Sequence, residues 1–409
     1  MNPAYIGRGT LQVVVTVGDD PSPIQGARVR VTDPADGAVL AELTTDSSGQ
    51  TETIELPTPP IEDSIAESDV RPYATYNVTA TAEGFETLHI SGVQLLPDSL
   101  SVQRSSMGPA KAGFNVRNVM LEPHTLWGDF PPKIPEDEVK PLPDAGGLVV
   151  LPKPVVPEFI VVHMGVPSDS SAPNHWIFFR DYIKNVACSE IYSTWQTEAI
   201  KANVLAILSF TLNRVFTEWY RGKGYDFTIT NSTAYDQSFV MGRTIFESIS
   251  QVVDDIFTTY ITREGISQPL FAQYCDGRRV QCNGLSQWGS QALAEQGLDA
   301  ISILRRYYGS DIYLTTAEKV EGVPMSFNGQ VLSLGSQGED VRTIQSQLNA
   351  ISNNFPAIGK LRVDGVYGPA TQQSVLTFQQ VFHMPQTGEV DFATWYSISN
   401  IYVAVTGMA

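Results

Sequence analysis

The chain opens with short runs in which apolar and polar positions alternate. Leu11-Gln-Val-Val-Val-Thr-Val17 is β-branched, Ala27-Arg-Val-Arg-Val-Thr32 has period two, and Tyr76-Asn-Val-Thr-Ala-Thr-Ala82 and Leu88-His-Ile-Ser-Gly-Val-Gln-Leu95 follow. Turn clusters separate them: Gly18-Asp-Asp-Pro-Ser-Pro23, Asp33-Pro-Ala-Asp-Gly37 and Thr45-Asp-Ser-Ser-Gly49. Half-buried strands with regular turn punctuation predict an all-β sandwich over residues 1–125. The pattern then lapses. Pro131-Pro-Lys-Ile-Pro135, Pro141-Leu-Pro143, Ala145-Gly-Gly147 and Pro152-Lys-Pro-Val-Val-Pro157 predict an extended linker over residues 126–157, partly polyproline II and open to proteases. The apolar Leu148-Val-Val-Leu151 within it reads either as a docked strand or as a processing site.

Residues 158–320 mix periods. Phe159-Ile-Val-Val-His163 and Pro269-Leu-Phe-Ala-Gln-Tyr274 read as strands, and residues 245–260 and 290–297 as helical. Between 199 and 212 apolar residues cover nearly every helical face, which predicts the buried central helix of an α+β domain. That run is shorter than the ~20 residues a bilayer requires, and Lys201 and Asn203 interrupt it, so no membrane span is expected. Residues 330–409 begin with a helix that puts Val341, Ile344, Gln345 and Leu348 on one face. Val363-Asp-Gly-Val-Tyr-Gly-Pro-Ala-Thr371 then turns into a second helix running through Gln379, and Gly388-Glu-Val-Asp-Phe-Ala-Thr-Trp395 echoes it weakly. This predicts a small three-helix unit.

Composition narrows the function classes. A chain of 409 residues with 42% hydrophobic and 17% charged residues is a folded chain of two to four domains. A net charge of −18 excludes nucleic acid as a partner, because phosphate binding needs a basic field. Of the three cysteines, Cys275 and Cys282 lie close enough to close a small loop or to remain two free thiols. The N-terminus lacks a basic segment followed by an apolar one, so no secretory signal is expected.

Glu190 stands at the mouth of the apolar helix. A carboxyl beside such a core is partly desolvated, which raises its pKa and suits it to general acid chemistry. A structural carboxylate, capping a helix or paired with a lysine, fits the same pattern. Glu198 would lie ~80° round from Glu190 on a continuous helix, so the two are not poised across one bond.

The motifs add resemblances. Gly26-Ala-Arg-Val-Arg-Val31, Thr45-Asp-Ser-Ser-Gly49 and Tyr76 to Phe85 resemble a transthyretin-type, carboxypeptidase-regulatory-like sandwich. Residues 334–408 resemble the peptidoglycan-binding domain of bacterial wall hydrolases, which implies wall contacts at Asp364, Gly365, Tyr367, Thr371 and Gln379. Asp181-Tyr-Ile-Lys-Asn-Val-Ala-Cys-Ser-Glu190, Trp195, Glu198-Ala-Ile-Lys-Ala-Asn203 and Gly284-Leu-Ser-Gln-Trp-Gly289 resemble the stage II sporulation protein D family and its amidase-enhancer relatives. One departure stands out: Gln281, Cys282 and Asn283 replace that family's Gly-His-Gly, so the role of its histidine is not inherited.

The domain order is similar to that of clostridial spore cortex-lytic enzymes of the SleC type. It implies a precursor made in the mother cell, activated by a germination protease and acting at the spore cortex. The family resemblance implies lytic transglycosylation with Glu190 as the single acid and base; with only five histidines in the chain no catalytic zinc is expected, and no cofactor. Tyr192, Asn231, Ser232, Asp236, Ser286, Gln287 and Trp288 are then the expected substrate contacts. The rival readings are an enhancer of a separate amidase and an amidase in its own right, with Cys188 or Cys282 as nucleophile.

Overall fold

A computed structural model describes residues 5–18, 21–111, 113, 115–142 and 153–407. The segment Leu148–Leu151, expected to be a docked strand or a processing site, lies outside them, apart from the flanking residues from Lys153 on.

The N-terminal region is built from strands β1 (Gly7–Val17), β2 (Arg28–Thr32), β3 (Val39–Thr44) and β4 (Ile54–Thr58). A one-turn helix α1 (Glu62–Ile65) precedes β5 (Ala74–Thr81), β6 (Thr87–Leu95), β7 (Leu100–Met107) and β8 (Val116–Met120). One sheet has the order β3-β2-β5-β6-β8, and the other places β7 and β4 on either side of β1. Alternation decides the facing: Leu11, Val13 and Val15 of β1 share an enclosed core with Val29, Val31, Val78, Ala80, Leu88 and Ile90. The two sheets thus pack face to face.

The middle region begins with β9 (Val155–Val156), β10 (Phe159–His163) and β11 (Asn174–Phe178), followed by α2 (Phe179–Glu190) and α3 (Thr197–Phe216). Next come β12 (Ile229–Thr230), β13 (Ile245–Phe246), α4 (Glu247–Ile256), β14 (Thr259–Arg263), β15 (Tyr274–Cys275) and β16 (Leu285–Ser286). Helices α5 (Gln287–Glu295) and α6 (Ala300–Tyr308) and strands β17 (Ile312–Thr316) and β18 (Lys319–Val320) close it. Three sequence expectations change here. Residues 245–260 are a strand, a shorter helix and the start of a second strand rather than one helix, and of Pro269–Tyr274 only Tyr274 is in a strand. Strand β13 leaves the middle region to pair with β7, Ile245 opposite Val102 and Phe246 opposite Ser101. The N-terminal sheet therefore crosses the expected domain boundary.

Helix α3 is also longer than expected. Its 20 residues make it long and apolar enough to cross a membrane by length and composition, yet it is buried inside the protein. It packs against α2, α4, α5, α6 and β14. The polar residues that made the apolar run look short have partners. Asn203 donates to the Ser290 hydroxyl at 2.7 Å, and Asn213 to the Pro269 carbonyl at 2.7 Å. Arg214, 1% exposed, donates from Nε to Asp236 at 2.7 Å.

The proline-rich segment departs most from expectation. Residues 121–142 form neither helix nor strand, but they are a docked strap and not a free linker. His124, Leu126 and Lys140 are buried, and Ile134 N–H donates to Ala234 O at 2.7 Å. Gln268 brackets Lys140, accepting from its N–H at 2.9 Å and donating to its carbonyl at 3.1 Å. Prolines remove five of the strap's N–H groups, and partners such as Gln268 and the Ala234 carbonyl take others, so extended chain can lie on a surface without a sheet partner.

The C-terminal region consists of α7 (Glu339–Ile351), α8 (Pro369–Val381) and α9 (Phe392–Thr406). Two buried glutamines organise it as an internal repeat. Gln345 accepts from the Asp364 and Gly365 N–H groups and donates to Val366 O and Thr371 Oγ1. Gln379 accepts from Gly388 N–H and donates to Glu389 O and Thr394 Oγ1. In each half the side chain of one helix pins the Gly turn that leads into the next. Gly365 and Gly388, at φ 74° and 67°, supply the left-handed conformation that the turns need. The unit docks on the middle region through Arg180, whose guanidinium reaches Asp254, Ser397 Oγ and Tyr396 O.

Candidate active site

Glu190 is the last residue of α2, and Ile191 ends that helix by turning extended (φ −138°, ψ 158°). The break before α3 means that Glu190 and Glu198 sit on separate helices, so the angular argument about a continuous helix does not apply. The last carbonyls of a helix lack internal partners, and here side chains and the strap supply them. Thr125 N–H donates to Ser189 O at 3.1 Å, Gln287 Nε2 to Glu190 O at 2.9 Å, and His124 Nε2 lies 3.1 Å from Ile191 O. The backbone that carries Glu190 is thereby fixed at three consecutive carbonyls.

The carboxylate itself is 3% exposed and accepts from Ser238 N–H at 2.6 Å. Burial raises its pKa above the ordinary carboxylate value, against the opposing pull of the Lys133 charge and the Ser238 hydrogen bond. Its place at the negative end of α2 works in the same direction as burial. The Tyr274 hydroxyl lies beside the carboxyl, and its own pKa is pushed up, first by burial and then by Glu190. A buried hydroxyl beside an acid is placed to donate to that acid or to a bound group.

A cavity of about 220 Å³ adjoins Glu190. The strap lines one part of it with Thr125, Gly128, Asp129, Phe130, Pro131 and Lys133. Thr233, Tyr274, Asp276, Arg279 and Gln287 line the rest. Sites for drug-sized ligands occupy ~300–1,000 Å³, so with the strap in place this space is too small for a saccharide chain. Asp276, the other carboxylate from the middle region, accepts from the N–H groups of Arg278, Arg279 and Val280 and is engaged in holding its loop. That loop is closed by a Cys275–Cys282 disulfide, which resolves the alternative left open by the spacing.

Lys133 connects the strap to the site. Its ammonium donates to Thr233 O at 3.3 Å and also to Asp236 O, 4.9 Å from the Tyr274 ring centre. Burial lowers its pKa, while Glu190 and Asp236 pull it back up. Further along the strap, Glu136 accepts a fork from Arg214, Nη1 at 2.9 Å and Nη2 at 2.7 Å, and pairs with Lys140 at 2.9 Å.

The expected contact residues divide. Gln287 lines the cavity, and Asn231 and Ser232 are partly exposed in the loop leading to Thr233. Tyr192 is fully buried, edge-on to Trp195 and Trp288, so Tyr192 and Trp288 form core and not a sugar platform. Asp236 is buried, and its carboxylate accepts from Arg214, Tyr220 and Thr230, which engages both of its oxygens within the fold. Ser286 caps α5 by accepting from Gly289 N–H at 3.0 Å. In the C-terminal unit Tyr367, Thr371, Gln379 and Gly365 are buried and Asp364 is partly exposed; Gly365 and Asp364 serve the glutamine-pinned turn, so these residues shape the unit. Glu198 pairs with Lys201 at 2.9 Å and accepts from Ala300 N–H, a structural role. The sequence reading missed Tyr274, Lys133 and Glu136; the only signal was that Lys133 and Glu136 are charged residues in a proline-rich run that otherwise needs none.

Cysteine chemistry is also constrained. Cys188 is fully buried and its thiol is pushed up to about 12, chiefly by burial, while Cys282 is held in the disulfide. Neither presents a thiolate. Among the described residues no group of three or more His, Cys, Asp or Glu side chains could hold a metal ion.

Residues 337–398 match the family model described as "Putative peptidoglycan binding domain". No curated protein matches the chain. Among solved structures the chain is similar to the SleB N-terminal domain, at 32% identity, covering 18% of this chain and 93% of that one, with a TM-score of 0.16. It is also similar to the Bacillus anthracis TIE protein, at 14% identity, covering 25% of this chain and 17% of that one, with a TM-score of 0.18. A third likeness is to GBS52, the minor pilin of Streptococcus agalactiae, at 15% identity, covering 26% of this chain and 46% of that one, with a TM-score of 0.18. The chain therefore carries a peptidoglycan-binding domain at its C-terminus, joined to a region with a cavity that the buried Glu190 lines together with Asp276 and, from the strap, Asp129.

Proposed function

We propose that this chain is a peptidoglycan-cleaving enzyme, a lytic transglycosylase of the spore cortex held latent by its own strap. The observation that carries the reading is Glu190: a buried carboxyl with a raised pKa, on a cavity where the other middle-region carboxylate is engaged in a loop. Hydrolytic glycosidases use two carboxyl groups about 5–9.5 Å apart. Lytic transglycosylation needs one. Protonated Glu190 gives its proton to the glycosidic oxygen as the bond from C1 of the muramic residue breaks. The C6 hydroxyl of the same sugar attacks C1, and the Glu190 carboxylate takes its proton. The products are a new free hydroxyl and a 1,6-anhydro end, with no water consumed. Tyr274, which lines the cavity beside Glu190, supports the departing or attacking oxygen with its hydroxyl.

The wall-binding domain supports the polymer as substrate, and the motif resemblance supports the bond type. Latency is supported by the strap, whose Lys133 supplies a positive charge beside Glu190, and by a cavity too small for a saccharide chain. In this reading a germination protease cuts after the strap, and the protein is made in the mother cell beside the cortex. The amidase reading is disfavoured because both candidate thiols are unavailable.

The test is muropeptide analysis of peptidoglycan treated with the protein cut within residues 143–152. Wild type releases 1,6-anhydro ends; Glu190→Gln releases none and still binds wall. Anhydro ends from the mutant would remove Glu190 from the mechanism. Free stem peptides would make the protein an amidase, and no products without an added amidase would make it an enhancer.

A further inference from the structure

Arg214 has two faces with different owners. Its Nε is tied to Asp236 at 2.7 Å, and one terminal nitrogen also reaches the Tyr235 carbonyl, both within the middle region. The outer edge of the guanidinium, Nη1 and Nη2, is forked onto Glu136 of the strap. A planar fork meeting a carboxylate with two parallel bonds is the geometry by which arginine selects carboxylates. Aromatic rings frame it: the Phe271 and Trp219 ring centres lie 4.5 and 5.1 Å from the guanidinium carbon. Burial acts to lower the Arg214 pKa, but Asp236 and Glu136 outweigh it and hold the charge in place.

The same strap that supplies Glu136 to Arg214 supplies Lys133 to Glu190, three residues apart in extended chain. Lys133 lines the cavity beside Glu190 and also a second cavity that Glu136 lines with Phe271 and Gln273, so the acid and the Arg214–Glu136 pair adjoin beneath the strap. If the strap leaves, Glu136 leaves with it, and a buried guanidinium loses its second counter-ion. Such a site is costly to leave empty and selective for a carboxylate.

We propose that Arg214 is a substrate-binding residue that takes a peptidoglycan carboxylate, and that Glu136 of the strap occupies its place in the uncleaved chain. This rests on the proposed function, since it treats the cleft under the strap as the site where the polymer binds. The carboxylate has two sources in the polymer: the stem peptide, or the lactyl group of muramic acid once the stem is removed. Arg214 fixes the register of the strand so that the bond to be broken lies at Glu190, and it makes the enzyme prefer charged to neutralised wall.

The test uses the cut protein and three substrates: native peptidoglycan, the same material with its carboxylates converted to amides, and glycan freed of stem peptides by an amidase. Wild type should lose about 30-fold or more in kcat/KM on the amidated material, the loss appearing mainly in KM. Arg214→Lys should abolish that difference by slowing cleavage of native wall to the amidated rate. Full activity on stem-free glycan assigns the lactyl carboxylate, and activity on stem-bearing wall alone assigns the peptide. Because Arg214 is buried and its substitution puts folding at risk, a second arm leaves the enzyme unchanged. A synthetic peptide spanning residues 128–142 should inhibit wild type, and its Glu136→Gln version should inhibit at least tenfold more weakly. Equal rates of wild type on native and amidated wall, or equal inhibition by the two peptides, overturn the assignment. Absence of anhydro products with every substrate would instead overturn the proposed reaction, so the two failures are distinguishable.

Discussion

Glu136→Gln in the uncleaved chain isolates the strap. The carboxylate accepts two bonds from Arg214, at 2.9 and 2.7 Å, and pairs with Lys140 at 2.9 Å, while its side chain keeps 13% exposure. Removing one partner of a buried pair costs about 3–5 kcal/mol, because the other charge stays behind. Residual exposure, and the single bond a glutamine oxygen can still accept, bring the expected loss to about 2–3 kcal/mol. At 1.4 kcal/mol per tenfold, the strap-open population rises about 30- to 150-fold. Hydrogen exchange of the amides of residues 133–140 should accelerate by that factor, relative to the amides of α3, which report the core. Cleavage of peptidoglycan by the uncut variant should rise with it. The same linkage sets a pH dependence. Burial raises the Glu136 pKa, but Arg214 and Lys140 outweigh it and bring it below its ordinary value. A carboxylate depressed in the docked state stabilises docking above the free value near 4.5, and that stabilisation is lost as pH falls through the depressed value. Wild type should therefore loosen its strap only in acid. Unchanged strap exchange and unchanged basal cleavage in Glu136→Gln would refute the claim that the strap is held by charge.

Other consequences are open to simple measurements. Glu190→Gln should raise thermal stability at neutral pH, since a carboxyl with a raised pKa costs stability once pH climbs above 4.5 and the unfolded chain has already released its proton; a lower Tm than wild type at pH 7 would contradict the burial argument. Cys282→Ser opens the loop that carries Asp276 and should cost about 2 kcal/mol together with several-fold of the activity of the cut protein, read by melting and by product release. Gln345→Ala and Gln379→Ala each orphan turn N–H groups and should destabilise the C-terminal unit by about 2–4 kcal/mol, while Gln373→Ala, at an exposed position of α8, should be neutral; similar wall pull-down and melting for all three would remove the repeat logic.

Alternation made the N-terminal strands readable, because in a half-buried strand the pattern and the facing are the same information. The weak echo of residues 363–371 in 388–395 likewise pointed to a repeat, whose Tyr367, Thr371 and Gln379 are buried inside the unit. Motif reading cannot tell a residue kept for the turn from one kept for the ligand. Glu190 was legible as a desolvated carboxyl, since apolar neighbours in sequence imply apolar neighbours in space along a helix. Its helix was not: the break at Ile191 carries no glycine or proline, and the chain turns there because side chains and a distant strap take over the carbonyls. Arg214 and Asn213 looked like the end of an apolar helix, and they are buried because their partners lie 22 to 78 residues away. The strap was misread for the opposite reason. Proline-rich composition reports the shape of a chain, extended and poor in donors, but not whether that chain lies in water or in a cleft.

The strap also bears on how the proposed latency could end. A cut within residues 143–152 breaks one covalent tether, but the strap remains joined to the N-terminal sheets, and these are attached to the middle region in several places. Strand β13 completes their sheet, Trp195 donates to Ser64 O at 2.9 Å, Ser99 and Ser193 share a hydroxyl contact at 2.7 Å, and Arg278 reaches Ser68 O and Asp69. Scission therefore cannot by itself clear the cleft. It converts an intramolecular contact, with an effective concentration in the ~mM range for a short tether, into a bimolecular one that dissociates at low concentration. Occupation of Arg214 by a substrate carboxylate then competes with re-docking of Glu136, so the polymer itself favours the open state. Under this logic the protease sets when release becomes possible and the wall sets where it happens, which would confine activity to protein already bound to peptidoglycan.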